Sequence, residues 1–424
     1  MGSKLIILLV IILGVLAIAQ LVRVNELTAK HAKRKEEDIP HRDNMFNSRM
    51  MLLFMIGLYV GFIYLMLEYG YVGMGPAASA HGQDVDWLLN LNFVIIIAIF
   101  FLTNTLLFVF AWKYVKRPGV KAFFYPHNNR LEMIWTVIPA AVLAVIIILG
   151  LRTWNDITTR AGAESENIEL FSYQFGWTAR YAGMNNELGK FDYKLTTADN
   201  PYALMTRDNI DASLEIMKVG GPGQEGVELI EDKLNDPSVI MSREDRDALR
   251  TELGRKERMV SLLQGMSATF NDSLNELAND DVILADSLVL LKGQHYNFSF
   301  RSKDVIHSAY FPHFRAQMNT VPGMTTYFKF QPLFTTGEMK EKMNSEDFEY
   351  ILMCNKICGG SHYKMKMAVA VLGPEEYLSW QKSKMTYDGS PWLDFNDSER
   401  AAKEAELLEK YVEISSRVEE GEGK

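Results

Sequence analysis

Two cysteines lie in one short segment that also carries a histidine and a methionine. The segment reads CNKICGGSHYKM over 354–365, so that Cys354, Cys358, His362 and Met365 fall within twelve residues. Sulfur ligands mixed with imidazole favour copper among the first-row metals. A mononuclear blue-copper site uses one cysteine, so the second cysteine allows two metal ions to share bridging thiolates. The spacing therefore predicts a copper site, and a dinuclear one requires a second imidazole.

A candidate for the second imidazole is His307, in the segment DVIHS at 304–308. It follows a strand-like run and precedes a turn at Pro312, so a β-sandwich could bring it to the cysteine loop. The alternative for the cysteine pair is a disulfide, which an exported domain permits. No Cys-x-x-Cys-His motif occurs, so the chain is predicted to carry no covalently attached haem.

The elements that must position these residues include four apolar segments, at roughly 5–22, 50–69, 91–115 and 131–151. Each is about long enough to cross ~30 Å of hydrocarbon as a helix. The first also resembles a signal peptide with a cleavage site after Ala19.

The charges of the connecting loops predict the orientation of these helices. The loops at 23–49 and 116–130 are rich in Lys and Arg, whereas 70–90 has neither. By the positive-inside rule both basic loops are cytoplasmic, and 152–424 lies on the outer side together with the N-terminus. Cleavage after Ala19 would leave the most basic loop outside, which favours an uncleaved chain.

The outer half contains short β-branched and aromatic runs separated by turn residues, which predicts an all-β sandwich or barrel. A charged stretch at about 195–278 interrupts it and has helical periodicity over 243–276. The predicted organisation is two additional membrane helices (1–90), a membrane hairpin (91–154), an outer domain with a helical insertion (155–380) and a C-terminal helical tail (381–424).

Charge is divided unevenly between the two halves of the 424-residue chain. Residues 1–154 hold 14 Lys and Arg against 9 Asp and Glu, which leaves 30 against 44 in residues 155–424. Nucleic acid is excluded as a partner because its binding requires cations to neutralise phosphates. A cationic protein partner suits this acidic half better.

The cysteine segment together with 304–308 resembles the CuA signature of cytochrome c oxidase subunit II. Further resemblance lies in QFGW at 174–177, Pro322-Gly323 and HNNRLEMIWTVIP at 127–139, and it covers about 91–193 and 280–380. It implies a cupredoxin-like domain that binds two copper ions as a binuclear CuA centre. The implied copper ligands are His307, Cys354, the backbone carbonyl of Lys356, Cys358, His362 and Met365.

The resemblance implies subunit II of a proton-pumping oxidase in the bacterial plasma membrane. Such a subunit accepts electrons one at a time from cytochrome c and passes them to haem in subunit I, where oxygen is reduced to water. The implied partners are oxidase subunits I and III, the lipid bilayer, and cytochrome c or a haem c domain, either free or in a supercomplex with a reductase. The alternatives are a structural quinol oxidase subunit II without copper, a nitrous oxide reductase domain and a membrane-anchored copper-delivery protein.

The chain departs from the family pattern at several functional positions. Phe175 stands where the family has the tryptophan credited with electron input, so Tyr173, Phe175 and Trp177 are the candidates for that role. Lys356 and Asn319 replace two carboxylates near a family magnesium site, which predicts that magnesium is absent there or held by other groups. Glu132 matches a family residue at the entrance of a proton channel.

Overall fold

The computed structural model describes residues 2–31, 40–70, 73 and 75–419. The chain divides into two compact units. One comprises Met1–Gly73 and Leu91–Ala141, and the other comprises Met74–Asn90 and Val142–Lys424.

Four long helices precede the β-rich region: α1 (Gly2–His31), α2 (His41–Tyr69), α3 (Ala80–Lys113) and α4 (Asn129–Thr158). Within the described residues, α2, α3 and α4 are long and apolar enough to cross a membrane. The most apolar stretch of each helix contains no buried residue. The remaining predicted span, at 5–22, falls within α1. Because the side chains at 2–11 lie outside the described residues, that span stays a prediction.

The second unit is built on two five-stranded sheets. In chain order the strands of this unit are β1 (Glu166–Tyr173), β2 (Gly176–Tyr181), β3 (Gly220–Gly221), β4 (Gln224–Glu225), β5 (Val282–Leu284), β6 (Ser287–Leu291), β7 (Tyr296–Ser302), β8 (His307–Phe311), β9 (Ala316–Thr320), β10 (Thr326–Phe330), β11 (Tyr350–Cys354) and β12 (Lys366–Leu372). The sheet orders are β10-β7-β1-β2-β5 and β6-β12-β11-β8-β9. The pairs β1–β7 and β6–β12 are parallel, and the other neighbours within these sheets are antiparallel.

Strand alternation explains why the two sheets enclose one apolar core. In β12 the side chains of Met367, Val369 and Val371 are buried while their neighbours at 366 and 368 are exposed. Alternate residues of a strand point to opposite faces, so one face of each sheet is apolar. Burial of each such side chain stabilises the fold by about 1.5–3 kcal/mol. The same alternation in β11 turns Cys354 inward, in line with Tyr350.

The segment between β2 and β5 forms the predicted helical insertion. It contains α5 (Arg207–Lys218), α6 (Val227–Asn235), α7 (Arg243–Thr269) and α8 (Ser273–Asn279), together with the β3–β4 pair. The insertion has a small core of its own, centred on Leu195, Ile210 and Leu263. Helix α7 begins where the Ser242 side chain accepts a hydrogen bond from the Asp245 amide, the usual arrangement at a helix N-cap.

The remaining helices are α9 (Thr336–Met343), α10 (Pro374–Lys382) and α11 (Arg400–Glu419). The last of these lies within the predicted tail and packs against the domain. Its Tyr411 is buried beside Tyr377 and donates a hydrogen bond of 2.7 Å to the Gln381 side chain.

Residues 75–90, which we call the strap, pack into the second unit ahead of its strands. The Ala78 amide donates to the His313 carbonyl at 2.8 Å, and the Leu333 amide donates to the Ala78 carbonyl at 2.8 Å. Ala78 and Ser79 are fully buried. The strap is thus hydrogen-bonded to the sandwich as an additional edge segment.

Candidate metal centre

Two neighbouring strands bring Cys354 and His307 to the same end of the second sheet. Cys354 ends β11 and His307 begins β8, and these strands run antiparallel with Cys354 opposite Ala309. The Cys354 Sγ lies 4.0 Å from the His307 Nδ1. Both side chains are buried, with His307 fully enclosed.

The loop between β11 and β12 supplies the other sulfur and imidazole groups. The Cys358 Sγ lies 4.0 Å from the Cys354 Sγ, 3.6 Å from the His362 Nδ1 and 3.8 Å from the Met365 Sδ. The loop is closed at its base, where the Cys354 amide donates to the Met365 carbonyl at 3.1 Å.

Lys356 sits between the two cysteines with its backbone turned inward. Its carbonyl oxygen lies 3.1 Å from the Cys354 Sγ, whereas its side chain is exposed. The structure therefore brings together all six groups for which the resemblance implies copper ligation. Among the described residues, the ligand atoms of His307, Cys354 and Cys358 lie close enough together to share a metal ion.

The thiols are free, since 4.0 Å between the sulfurs is about twice the ~2.05 Å of a disulfide bond. Burial, reinforced by the neighbouring Cys354 thiol, raises the pKa of Cys358 to about 11. Without a cation the Cys358 thiol therefore stays protonated, and binding of a cation there would release its proton. Two ligands of one tetrahedral ion with bonds of ~2.3 Å lie about 3.8 Å apart, so the observed separations of 3.6–4.0 Å fit a bound metal.

A carboxylate next to the cluster orients one of its imidazoles. The Asp304 Oδ1 lies 2.8 Å from the His307 Nε2, the ring nitrogen on the far side from Cys354. The Trp177 ring packs against the same imidazole at 6.3 Å between centroids. Although burial opposes it, hydrogen bonds from His307 and from the Gln174 and Val305 amides lower the pKa of Asp304. The sequence motif contained Asp304, but its contact with His307 depends on the turn between them.

Comparison with known proteins places the chain in a family. A family model for the cytochrome c oxidase subunit II transmembrane domain matches residues 67–153. The alternative cytochrome c oxidase subunit 2 of Bradyrhizobium diazoefficiens is 25% identical over 317 residues, which cover 74% of this chain and 84% of that protein. The cytochrome c oxidase subunit 2 of Cereibacter sphaeroides is 21% identical over 311 residues, which cover 73% and 79%. The chain belongs to the cytochrome c oxidase subunit II family.

Among solved structures, the periplasmic domain of subunit II of cytochrome oxidase from Bradyrhizobium japonicum aligns with 52% of this chain and 94% of that domain, at 14% identity and a TM-score of 0.25. Membership of the subunit II family agrees with the apolar helices α2, α3 and α4 and with the β-sandwich that follows them. The chain is accordingly a membrane protein and a subunit of a haem–copper oxidase.

The aromatic residues predicted for electron input lie at the turn between β1 and β2. Phe175 is 37% exposed, whereas Trp177 is buried and its indole nitrogen has no partner among the described residues. The Tyr173 ring is half-buried and covers Gly176, where an added Cβ would lie 2.8 Å from its hydroxyl. Phe175 thus reaches the surface, and Trp177 is buried beside His307.

Glu132 lies in the first turn of α4. Its Oε1 accepts a hydrogen bond from the Asn128 amide at 3.3 Å, while the Asn128 side chain accepts one from the Leu131 amide at 3.1 Å. These paired bonds stabilise the start of the helix. A role of Glu132 in proton uptake stays a prediction.

Proposed function

We propose that this chain binds two copper ions and serves as the electron-accepting subunit II of a proton-pumping cytochrome c oxidase. It receives single electrons from cytochrome c or a haem c domain and delivers them to haem in subunit I, where oxygen is reduced to water. A bound pair of copper ions would supply a one-electron couple.

The observation that carries this proposal is the convergence of two thiols, two imidazoles and a thioether at one end of the sandwich. The Cys354 and Cys358 sulfurs lie side by side, and each has an imidazole nitrogen of its own within 4.0 Å. Cys354, Cys358, His307, His362 and Met365 would hold the copper ions. Thioether and thiolate ligands select copper over the harder divalent metals.

The residues around the cluster limit its rearrangement between redox states. Cys354 is anchored at the end of a strand, and the Asn355 amide donates to the Ser308 carbonyl at 3.1 Å. Met365 is buried at the base of the loop. Strands β8, β11 and β12 hold the two ends of the ligand loops, which keeps the donor atoms close together.

Magnesium, which the resemblance implies at the contact with subunit I, does not fit the residues here. This cation prefers several oxygen ligands, above all carboxylates. Lys356 and Asn319 are both exposed, and a protonated lysine offers no acceptor. In the described loops at this end, 303–306, 319–325 and 355–364, Asp304 is the carboxylate present, and both its oxygens are already hydrogen-bonded.

The assembly around the chain is part of the proposal. The hairpin at 91–154 contacts subunit I, with subunit III in the same complex, and the outer domain at 155–380 lies on the outer side of the bacterial plasma membrane. The basic loops at 23–49 and 116–130 support this orientation. The additional helices in 1–90 provide docking surface for a supercomplex with a reductase.

The test is anaerobic mixing of the purified oxidase with reduced cytochrome c and, separately, with a quinol. Rapid one-electron reduction of the copper absorbance by cytochrome c, lost in Cys354→Ser, is expected. Reduction by quinol alone would support the structural quinol oxidase subunit. Transfer of a single copper from this chain to an apo-oxidase, without electron uptake, would support the delivery protein.

A further inference from the structure

The turn that carries Phe175 is bonded to both loops that carry the cysteine and histidine groups. The Gln174 amide donates to the Asp304 Oδ2 at 2.7 Å, which joins the turn to the loop before His307. The Gln174 side-chain amide donates to the Cys358 carbonyl, which joins it to the cysteine loop. One residue of the turn therefore bridges the two segments that would hold the metal ions.

The other oxygen of Asp304 holds the His307 ring. Its Oδ1 lies 2.8 Å from the His307 Nε2, so a hydrogen bond joins the carboxylate to the far side of the imidazole. The opposite ring nitrogen, Nδ1, then faces the Cys354 Sγ at 4.0 Å. Asp304 thereby holds the ring in the orientation in which the nitrogen facing the thiols could bind metal.

A glycine allows the aromatic turn to lie directly against the cysteine loop. Gly359 has φ +146°, and a Cβ added there would lie 2.8 Å from the Gln174 Nε2 and 2.9 Å from the Phe175 ring. Phe175 contacts the residue after Cys358 on one side and is 37% exposed on the other. It thus forms a short bridge between the surface and the ligand loop.

We propose that Asp304 is a positioning residue that holds the His307 ring and the Gln174–Phe175 turn in one fixed arrangement. Through one carboxylate, the orientation of a copper ligand and the contact surface for the electron donor are set together. The inference rests on the proposed function, because it assumes that the cluster binds copper and takes up electrons.

A different role for Asp304 would be to attract a cationic donor. Its geometry favours the positioning role, since its side chain is 29% exposed and accepts hydrogen bonds from Gln174, Val305 and His307. The exposed charged neighbours in these loops are Lys303, Lys356 and Lys364. A single carboxylate among three ammonium groups does not form an acidic docking surface.

The test is Asp304→Asn in the intact oxidase, with Asp347→Asn as the matched control. Asparagine keeps the shape but has one acceptor oxygen, so it cannot accept from both Gln174 and His307. Asp347 is exposed at the opposite end of β11 from Cys354. We measure the copper hyperfine splitting, the midpoint potential and the kcat and KM for reduced cytochrome c at several salt concentrations.

Asp304→Asn is expected to alter the hyperfine splitting and the midpoint potential and to lower kcat about 10-fold, with KM and its salt dependence unchanged. Asp347→Asn should match the wild type in every readout. Gln174→Leu, which removes the bond to Cys358 but keeps the backbone bond to Asp304, should lower kcat and leave the splitting from His307 unchanged.

Two results would overturn the inference while leaving the proposed function intact. One is an Asp304→Asn oxidase identical to the Asp347→Asn control in spectrum, potential and rate. The other is a rise in KM with altered salt dependence and an unchanged spectrum, which would make Asp304 a docking charge. Failure of the proposed function is distinguishable, because the wild-type oxidase itself would then lack the copper signal of this chain.

Discussion

The outer domain contains two buried polar clusters that differ in whether ion pairs within the chain neutralise their charges. In the first sheet, Arg180 pairs with Glu169 at 2.9 Å and with Asp281 at 2.5 Å, and Arg301 pairs with Glu169 at 2.6 Å. At the end of the second sheet, the Cys354 and Cys358 thiols contact each other, two imidazoles, a thioether and a backbone carbonyl.

The difference shows which cluster requires an ion. An isolated buried charge is costly unless a counter-charge accompanies it. Arg180 and Arg301 supply that counter-charge to Glu169, so the arginine–carboxylate cluster is complete within the chain. Burial opposes ionisation of the Cys358 thiol, a cation would favour it, and the donor atoms of the thiol cluster lie at distances that suit a cation. We therefore assign a structural role to the first and a metal-binding role to the second.

The largest effect should come from removing one of the shared thiols. Cys354→Ser is expected to abolish the dinuclear centre and to lower cytochrome c oxidation by ~100-fold or more, since loss of even an outer-shell contact typically costs 10–100-fold. Met353→Leu, a conservative change at the neighbouring position of β11, is the control. Steady-state oxidation and copper analysis of the two oxidases would measure this, and equal activity would contradict the assignment.

Glu169→Gln should destabilise the domain without affecting copper. It leaves two buried guanidinium groups short of a counter-charge, which costs about 3–5 kcal/mol. The measurement is the thermal unfolding midpoint of the oxidase, compared with Glu187→Gln, whose side chain is exposed. A large change in the copper spectrum, with little change in the midpoint, would show that the two clusters are not separate in function.

The arginine–carboxylate cluster should also make stability depend on pH. Burial raises the pKa of Asp281 from 3.8 to about 7 against the opposing effect of Arg180, and one of its oxygens has no partner among the described residues. The folded state therefore holds a proton that the unfolded state releases between about pH 4 and 7. Stability should fall as pH rises through this window, by on the order of 2 kcal/mol.

Asp281→Asn should remove most of that decline. Thermal unfolding midpoints of the wild type and the variant between pH 5 and 8 would show it, as a sloping profile for the former and a flatter one for the latter. Parallel slopes would mean that another group carries the proton.

The smallest effect is expected at the strap. Arg315 and Asp86 form a two-point ion pair at 2.9 and 3.0 Å, partly exposed, so its loss in Asp86→Asn should cost about 1 kcal/mol. Limited proteolysis should then cut the strap faster than in the control Asp84→Asn, whose side chain is exposed nearby. Equal cleavage rates would show that the backbone hydrogen bonds of the strap suffice.

The convergence of the thiol, imidazole and thioether groups could be predicted from the sequence because most of them are close along the chain. Cys354, Cys358, His362 and Met365 share one loop, and only His307 had to be placed by a strand pairing. Such local spacing is visible without a fold. The bond from Asp304 to Gln174 could not be anticipated, because it joins segments 130 residues apart.

Some strands of the fold could be predicted from the sequence, and others could not. The β-branched and aromatic runs at 167–175, 282–291, 296–300, 327–331 and 368–372 predict strands where the structure has β1, β5, β6, β7, β10 and β12. The charged stretch at 195–278 predicts the helical insertion. Strands β2, β8, β9 and β11 were missed because they carry glycine, arginine, histidine, asparagine, glutamine, methionine or cysteine in place of a β-branched run. The strap and the arginine–carboxylate cluster were not predicted, because the burial of their polar residues depends on partners that are distant in sequence.

The measurement that tests the account most directly is copper content and electron paramagnetic resonance of the intact oxidase, with and without Cys354→Ser. The account predicts that the variant loses two copper ions per complex, together with a seven-line hyperfine pattern from one unpaired electron shared by two copper nuclei. Loss of a single copper with a four-line pattern, or no loss at all, would contradict the dinuclear centre.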